Sequence, residues 1–438
     1  MQANAPEAKS KSMPALLIKN GHVIDPASNR DGLADVLLQE GLVQQVGHNL
    51  PTEGVQVFDA TGLYVAPGFI DMHVHLREPG FEHAETIETG SKAAAAGGFT
   101  SICPMPNTAP ANDNATVTSY IVETARRHAV VNVFPIGAIT KGRNGDELAA
   151  IGAMRQAGAV AISDDGNPVM NAQLMRRAME YAKSFDIPVI NHCEDLHLSA
   201  GGDMHEGVES VRLGLRGIPG CSEDVMVARD ILLAEVTGAR YHVAHISSRH
   251  SVEMVAFAKK RGLPITSEAT PHHLDLADRD MKPYDSNFKM KPPLRGCGDV
   301  EAVLAGVKSG AIDAIATDHA PHPGSEKMQE FEKCPFGILG LETALGVVLE
   351  RLYHSQKISL TRLVEMFTTN PARILGLSRG TLAKGSSADV TIFSTNKEWA
   401  YDVNKSFSKS RNSPYDGRKF RGGPVATIVS GNIVWRLS

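Results

Sequence analysis

The fold of this chain is decided by the stretch Pro67-Gly68-Phe69-Ile70-Asp71-Met72-His73-Val74-His75-Leu76-Arg77. It is an apolar run of strand character that ends in two histidines separated by one residue. Because alternate side chains of a strand point to the same face, His73 and His75 point the same way. Two imidazoles at a strand end suit a divalent metal ion such as zinc. The alternative is a pair of histidines on a wet strand edge, so the argument depends on what ends the later strands.

Composition and charge limit the classes of protein that fit. The chain has 438 residues and a formal net charge of −5 at pH 7, and no apolar run approaches the ~18 residues of a membrane span. Neither a nucleic-acid partner nor a membrane partner is indicated. The five cysteines are scattered, so neither a disulfide framework nor a thiolate zinc site is expected. The polar N-terminus lacks the apolar core of a secretory signal, which predicts a disordered tail over residues 1–13 and a cytoplasmic protein.

Short apolar strands alternate with helical stretches in the middle of the chain. The strand that ends at His73 and His75 is followed by seven further candidates, at residues 100–103, 131–134, 159–163, 188–191, 240–244, 264–267 and 311–316. Helical stretches lie at residues 115–128, 171–185, 223–237 and 251–261. Eight β/α units predict a (β/α)8 TIM barrel over residues 67–380, with its active site at the C-terminal ends of the strands.

Both ends of the chain have β character instead. Residues 14–66 contain strand-like runs at 16–21, 35–38 and 42–46, and residues 381–438 contain runs at 388–393 and 426–435. Short runs bounded by turn residues favour an antiparallel β unit. The α/β barrel is therefore expected to carry one small β-sandwich domain formed by both termini.

Polar residues end five of the predicted barrel strands. They are His73, His75, Asp165, His192, His245 and Asp318. Strand alternation places Asp165 on the inward face, whereas His242 has the opposite parity to His245 and is expected to be packed or hydrogen-bonded. Four histidines and two carboxylates at the catalytic face of a barrel predict a metal site. Nitrogen and oxygen ligands without thiolate suit zinc, and a carboxylate such as Asp165 can bridge two ions.

A site of this kind predicts hydrolysis of an amide or the reverse reaction. Zinc lowers the pKa of bound water from about 15.7 to about 7 and polarises a carbonyl oxygen. A carboxylate beside that water can take up its proton and return it to a leaving nitrogen. Asp318, which follows the last strand, is the candidate for this role.

The motifs of this chain resemble those of the class I bacterial dihydroorotases, in the amidohydrolase superfamily. The similar segments are spread through nearly the whole chain and comprise His73-Val74-His75-Leu76-Arg77-Glu78-Pro79-Gly80, Pro104-Met105-Pro106-Asn107-Thr108, Ser163-Asp164-Asp165-Gly166, Thr317-Asp318-His319-Ala320-Pro321-His322 and Phe336-Gly337-Ile338. The resemblance implies the reversible, zinc-dependent cyclisation of N-carbamoyl-L-aspartate to L-dihydroorotate and water in de novo pyrimidine (UMP) biosynthesis. It also implies one or two Zn²⁺ ions per chain, a homodimer, and aspartate transcarbamoylase as a candidate partner.

The resemblance assigns roles to individual residues. It implies that the six strand-end residues are metal ligands, that Asp165 bridges two zinc ions, and that Asp318 is the general acid and base. The implied substrate contacts are His75, Arg77, Asn107, His322, Phe336 and Gly337. Arg77, Asn107 and His322 would hold the substrate α-carboxylate, which suits the planar fork of an arginine. Lys291 stands where the family commonly has an asparagine that contacts substrate, and it is kept as a candidate contact.

Three alternatives stay open on the sequence alone. Hydantoinases, dihydropyrimidinases and allantoinases bridge their metals with a carboxylated lysine, where this chain has Asp165, and their rings lack the carboxylate that Arg77 and Asn107 suit. A non-catalytic, dihydroorotase-like scaffold for aspartate transcarbamoylase would lack metal ligands, whereas all six candidates are present here. The polar residues 323–333 are either a mobile lid over the site or a plain surface loop.

Overall fold

The chain begins with β structure. The computed structural model describes residues 15–437, so the tail predicted over residues 1–13 lies outside the described residues. The first strands are β1 (Leu16–Asp25), β2 (Arg30–Gln39), β3 (Leu42–Gly47), β4 (Gln56–Asp59) and β5 (Tyr64–Pro67). Among the described residues, no helix is long and apolar enough to cross a membrane.

Strands and helices alternate through the middle of the chain. The strands are β6 (Phe69–Val74), β7 (Phe99–Pro104), β8 (Asn132–Val133), β9 (Ile136–Gly137), β10 (Ala161–Ile162), β11 (Val189–Asn191), β12 (Met204–His205), β13 (Gly217–Ile218), β14 (Tyr241–Val243), β15 (Ile265–Ala269) and β16 (Ala314–Ile315). The helices are α1 (Ile87–Ala96), α2 (Ala115–His128), α3 (Ile151–Gln156), α4 (Ala172–Lys183), α5 (Val208–Leu213), α6 (Cys221–Thr237), α7 (Arg249–Lys260), α8 (Pro271–Asp275), α9 (Cys297–Ser309), α10 (Gly324–Lys327), α11 (Ala344–Val348), α12 (Leu360–Phe367) and α13 (Thr369–Leu375). The four predicted helices are confirmed as α2, α4, α6 and α7, with bounds that agree to within two residues.

The middle strands run round in a ring. One parallel sheet has the order β6-β7-β8, and a second has the order β16-β15-β14-β11-β10-β9. Strands β8 and β9 are halves of one run, because Phe134 between them donates its backbone N–H to Ile102 of β7. A parallel bridge between Val74 and His319 joins the other two edges. The predicted (β/α)8 barrel is thus confirmed, with β8 and β9 together as its third strand.

Apolar side chains fill the barrel below the polar strand ends. A large cluster lies between the strands and the surrounding helices. A smaller one includes Met72, Cys103, Ile190 and Ala314, which come from four different barrel strands. The start of α1 is fixed by a capping side chain, because the Thr86 side chain accepts the backbone N–H of Thr89. This packing gives the strand ends a rigid base.

The last strands join the first ones. β17 (Val390–Ala400), β18 (Lys419–Val429) and β19 (Asn432–Arg436) complete one eight-stranded sheet with β1–β5. The sheet is curled, so that β3 comes close to the segment just before β17, where the Val43 N–H donates to the Ser386 carbonyl. It encloses a core of its own, which includes Ile18, Val36 and Val390. The prediction that both termini build one β unit is confirmed.

The run predicted at residues 426–435 is β structure, and it is divided between the two strands β18 and β19. Ser430 and Gly431 both have positive φ, 48° and 81°, which is the conformation of a two-residue hairpin turn. The chain therefore reverses there, and β19 pairs antiparallel with β18.

Candidate active site

The polar strand ends meet at one end of the barrel, around Asp165. The Asp165 carboxylate follows β10, and its oxygens lie 3.3 Å from His73 Nε2 and 3.5 Å from His75 Nε2, at the end of β6. They also lie 3.7 Å from His192 Nδ1, after β11, and 3.6 Å from His245 Nε2, after β14. All five side chains are buried. Residues that are up to 172 positions apart therefore converge because the parallel strands end on one face.

These side chains form two groups that could each hold a metal ion. One group is His73, His75 and Asp165, and the other is Asp165, His192 and His245. In each group the candidate ligand atoms lie within 4.8 Å of one another. Asp165 belongs to both groups, as a bridging carboxylate would.

The nitrogen atoms of the site fit a divalent cation. His73 Nε2 is buried without a hydrogen-bond partner, which is costly unless a ligand satisfies it. His192 Nδ1 and His245 Nε2 lie 3.0 Å apart, so at most one of these two nitrogens carries a proton. Unprotonated imidazole nitrogens and a carboxylate are donors that divalent metals take.

Asp318 lies beside the first group, in a strained conformation. Its Oδ1 is 2.9 Å from His75 Nε2 and 3.6 Å from His73 Nε2. Burial alone would raise the pKa of Asp318, but the contact with His75 and the electrostatic effect of the neighbouring histidines outweigh it and lower that pKa. Asp318 and His245 have φ of 48° and 31°. Residues other than glycine seldom adopt such φ values, and the residues that do are concentrated at functional sites.

Glu268 of β15 is a site residue that the strand-end argument missed. Its Oε1 lies 2.7 Å from His73 Nδ1, and its Oε2 lies 3.3 Å from His242 Nε2. Burial disfavours the charged carboxylate, but the electrostatic effects of the adjacent His73 and His242 outweigh this and lower the pKa of Glu268 to about 2. His242 is packed in this contact, as predicted. The available sequence signal was the position of this acid directly after the strand predicted at residues 264–267.

Arg77 and His322 lie together on the opposite wall. Arg77 Nε donates to the carbonyl of Pro321 at 3.1 Å. His322 Nε2 lies 3.1 Å from Arg77 Nη2 and 2.9 Å from the Phe336 carbonyl oxygen. Burial, with the charge of Arg77 second, lowers the pKa of His322 to about 2, so the ring is neutral. A half-buried guanidinium beside a neutral imidazole favours an anionic ligand.

The predicted substrate contacts surround one cavity of about 270 Å³. Its lining includes His75, Arg77, Asn107, Lys291, His322, Phe336 and Gly337. Asn107 Oδ1 lies 2.9 Å from His75 Nδ1, which directs His75 Nε2 towards the carboxylates. The amide nitrogen of Asn107 is then available as a donor to a ligand. The cavity is thus bounded by the metal-binding groups on one side and by hydrogen-bond donors on the other.

Lys291 stands where this cavity opens into a wider one of about 880 Å³, and it lines both. Its Nζ donates to Glu194 Oε1 at 2.7 Å and lies 4.8 Å from the centre of the Phe336 ring. Glu194 Oε2 in turn lies 2.8 Å from His192 Nε2. Glu194, which the sequence argument also missed, therefore links the lysine to the second metal-binding group.

Residues 323–333 are packed against the rest of the barrel. They contain α10 and a 3-10 turn, Phe331–Lys333. The buried Lys289 donates through Nζ to the Phe331 carbonyl at 2.6 Å. The buried Lys327 donates through Nζ to the carbonyls of Ser286 and Pro335, both at 2.9 Å. Two buried ammonium groups thus hold this segment beside the cavity; whether it opens as a lid stays a prediction.

The barrel, the two metal-binding groups and the structural neighbours together identify the class of enzyme to which the chain belongs. The L-hydantoinase (dihydropyrimidinase) of Arthrobacter aurescens superposes with a TM-score of 0.88 at 26% identity, over 97% of this chain and 98% of that chain. The dihydropyrimidinase of Brevibacillus agri has the same fold, with a TM-score of 0.84 at 24% identity over 96% of this chain and 95% of its own. The Amidohydrolase family model matches residues 281–435. The chain is an amidohydrolase.

Relatives in sequence identify the family within the amidohydrolases. The Dihydro-orotase-like family model matches residues 62–251. The dihydroorotase of Solibacter usitatus is 68% identical over 420 residues, covering 96% of this chain and 98% of that protein. The dihydroorotase of Pelotomaculum thermopropionicum is 52% identical over 419 residues, with 96% and 98% covered. The chain belongs to the dihydroorotase family.

Proposed function

We propose that this chain is a dihydroorotase, which interconverts N-carbamoyl-L-aspartate with L-dihydroorotate and water in de novo pyrimidine biosynthesis. The observation that carries the proposal is the wall formed by Arg77, Asn107 and His322, across one small cavity from the paired metal-binding groups. A ring that bears a carboxylate can place that group at the Arg77 fork. Its amide bond then lies towards Asp165 and Asp318.

Zinc is the metal that we propose, as one or two ions per chain. The histidine and carboxylate donors without thiolate support this choice. When bound, zinc polarises an amide carbonyl and makes hydroxide available at neutral pH. The residues that would hold zinc are His73, His75, Asp165, His192, His245 and Asp318, of which Asp165 belongs to both candidate groups.

Asp318 is proposed as the general acid and base. Its lowered pKa means that the carboxylate is ionised at neutral pH and can act first as a base. In hydrolysis it takes a proton from the attacking water and returns it to the leaving ring nitrogen, and in cyclisation the two transfers are reversed. His75, whose Nε2 is 2.9 Å away, holds the carboxylate in place.

The remaining lining residues are proposed to orient the substrate. Arg77, Asn107 and His322 hold the α-carboxylate through their nitrogen atoms. The backbone groups of Phe336 and Gly337 contact the ring. Lys291, at the opening, and His75, beside Asp318, complete the contacts to the anionic substrate.

The organisation of the whole protein is part of the proposal. We assign catalysis to residues 67–380, and support of the barrel to the β unit of residues 14–66 and 381–438.

A cytoplasmic homodimer is proposed, with aspartate transcarbamoylase as its candidate partner. The exposed side chains of Leu232, Val236 and Phe257 on α6 and α7 offer an apolar surface of the kind that subunit contacts bury. Light scattering of the purified protein, alone and with the transcarbamoylase, tests both interactions.

The function is tested by comparing substrates. Turnover of dihydroorotate, dihydrouracil and hydantoin is measured on one preparation whose zinc content is determined at the same time. Turnover of dihydroorotate alone, with one to two zinc ions per chain, is the expected result. Turnover of the rings without a carboxylate would instead identify a hydantoinase-like enzyme and contradict the role of Arg77. Bound zinc without any turnover would point to a non-catalytic scaffold.

A further inference from the structure

A segment of the terminal β unit reaches across to the active site. Between β17 and β18, residues 406–413 lie against the loops that follow β6 and β16, and we call this segment the strap. Ser410 Oγ donates to the Ala84 carbonyl at 2.7 Å, and the Lys409 N–H donates to Glu85 Oε1 at 3.2 Å. Glu85 is buried, and its Oε2 lies 3.5 Å from His319 Nε2. The strap is thus attached to the barrel on both sides of the last strand end.

Asn412 is the strap residue that reaches the substrate wall. Its Nδ2 donates to the carbonyls of Ala320 and Gly337, both at 3.0 Å. Its Oδ1 accepts the backbone N–H of His322 at 3.1 Å, and its own carbonyl accepts the N–H of Leu339 at 2.9 Å. The side chain is only 3% exposed. Both amide hydrogens and the amide oxygen are therefore committed to the backbones of two loops.

The two loops that Asn412 joins carry proposed substrate contacts. One holds Ala320 and His322, after Asp318, and the other holds Phe336 and Gly337. Gly337 has φ of 134°, and a Cβ there would lie 2.6 Å from the Ala320 Cβ. The loops therefore approach more closely than side chains on both would permit. The two loops also meet directly, through the bond from the Ala320 N–H to the Ile338 carbonyl at 2.8 Å and the contact of His322 Nε2 with the Phe336 carbonyl at 2.9 Å. The Asn412 amide adds three hydrogen bonds to these contacts.

We propose that Asn412 is a positioning residue, which sets the separation of His322 and Gly337 and thereby the fit of a substrate ring that bears a carboxylate. This inference rests on the proposed function of that wall. Asn412 is not among the residues that line the cavity, and it makes no hydrogen bond to the proposed metal ligands. Its loss is therefore expected to act on substrate binding, while the proton transfers at Asp318 continue.

The test compares Asn412→Asp and Asn412→Ala with wild type. The aspartate keeps the shape of the side chain but turns an acceptor towards two carbonyls, whereas the alanine removes all three side-chain bonds. The KM for dihydroorotate is expected to rise about 10- to 100-fold in both variants, with kcat within about threefold and zinc content unchanged. Asn404→Asp, at an exposed position between the same two strands, is the matched control and is expected to match wild type. A fall in kcat at unchanged KM would overturn the inference.

A second measurement separates this inference from the proposed function. Hydrogen exchange of the free enzymes is followed at the backbone amides of residues 320–322 and 336–339, and it needs no turnover. Faster exchange confined to these two stretches is expected in Asn412→Ala, and unchanged exchange there would overturn the inference. If wild type does not turn over dihydroorotate, the proposed function fails, and the exchange result still decides whether Asn412 positions the wall.

Discussion

Glu268 Oε1 lies 2.7 Å from His73 Nδ1, and neither side chain is exposed to solvent. A carboxylate on Nδ1 keeps the imidazole proton there and leaves Nε2 unprotonated, facing Asp165. The same carboxylate lies 3.3 Å from His242 Nε2, so it contacts two rings that come from different strands, β6 and β14. The position of the first metal-binding nitrogen therefore depends on β15 as much as on β6.

Replacement of this carboxylate is expected to weaken metal binding. Glu268→Gln keeps the size of the side chain but removes the charge that holds the Nδ1 proton. We expect zinc affinity to fall about 10- to 100-fold, as measured by competition with a chromogenic chelator. Glu253→Gln, on the exposed face of α7, is the control and is expected to bind zinc as wild type does. Affinity within twofold of wild type in Glu268→Gln would contradict the orienting role.

Asp318→Asn tests the acid–base assignment. The amide cannot take up a proton from the attacking water, so turnover is expected to fall by at least about 10²-fold in both directions. The other five ligands are expected to keep zinc in the site, which metal analysis of the same sample checks. The exposed Asp146 gives the matched variant Asp146→Asn, with turnover expected at the wild-type level. Activity of Asp318→Asn within a few-fold of wild type would remove Asp318 from this role.

Arg77→Lys tests the carboxylate wall. The variant keeps the positive charge but loses the planar fork and the bond from Nε to the Pro321 carbonyl. The KM for dihydroorotate is expected to rise about 10- to 100-fold, since a bidentate contact becomes a point contact. Arg126→Lys, on the exposed end of α2, serves as the control. An unchanged KM in Arg77→Lys would place the substrate carboxylate elsewhere.

The convergence of the proposed metal ligands was predictable because two simple rules act together. Alternation along a strand is local, so the parity of His73 and His75 can be counted, and parallel barrel strands bring their ends to one face. Glu268 directly follows the strand predicted at residues 264–267, but in the structure it lies inside β15 and meets His73 only through the register of the barrel strands. Asn412 lies 90 residues beyond its partner His322, on a segment whose path depends on how the terminal sheet curls.

At the hairpin near the C-terminus, by contrast, a local backbone feature was missed. The run at residues 426–435 is apolar on both sides of Ser430 and Gly431, so its hydrophobicity continues where its backbone reverses. Strand β18 ends there because Ser430 and Gly431 have positive φ, and not because the burial pattern changes. Hydrophobic pattern thus predicted that this part of the chain is β structure, but not its division into strands.

Lys327 is a buried base whose titration is expected to make the stability of the protein depend on pH. Its Nζ donates only to backbone carbonyls, among them those of Lys289 and Pro335 at 3.3 and 2.9 Å. Burial lowers the pKa of Lys327 to about 7; of the charged or ionisable groups around it, Cys334 and Asp285 raise this pKa and Lys289 lowers it. The folded protein thus releases a proton from Lys327 that the unfolded chain retains up to about pH 10.

The free energy of unfolding is therefore expected to rise with pH between about 7 and 10, because the unfolded state binds more protons in that window. Lys327→Met removes the titrating group, so the stability of wild type relative to this variant is expected to increase by about 1 kcal/mol per pH unit. Urea denaturation of both proteins at intervals across this range measures the difference. Lys308→Met, on the exposed face of α9, is expected to differ from wild type by the same amount at every pH. A constant difference between wild type and Lys327→Met as well would show that Lys327 stays charged in the folded protein, and that its three carbonyl contacts fully offset the cost of burying that charge.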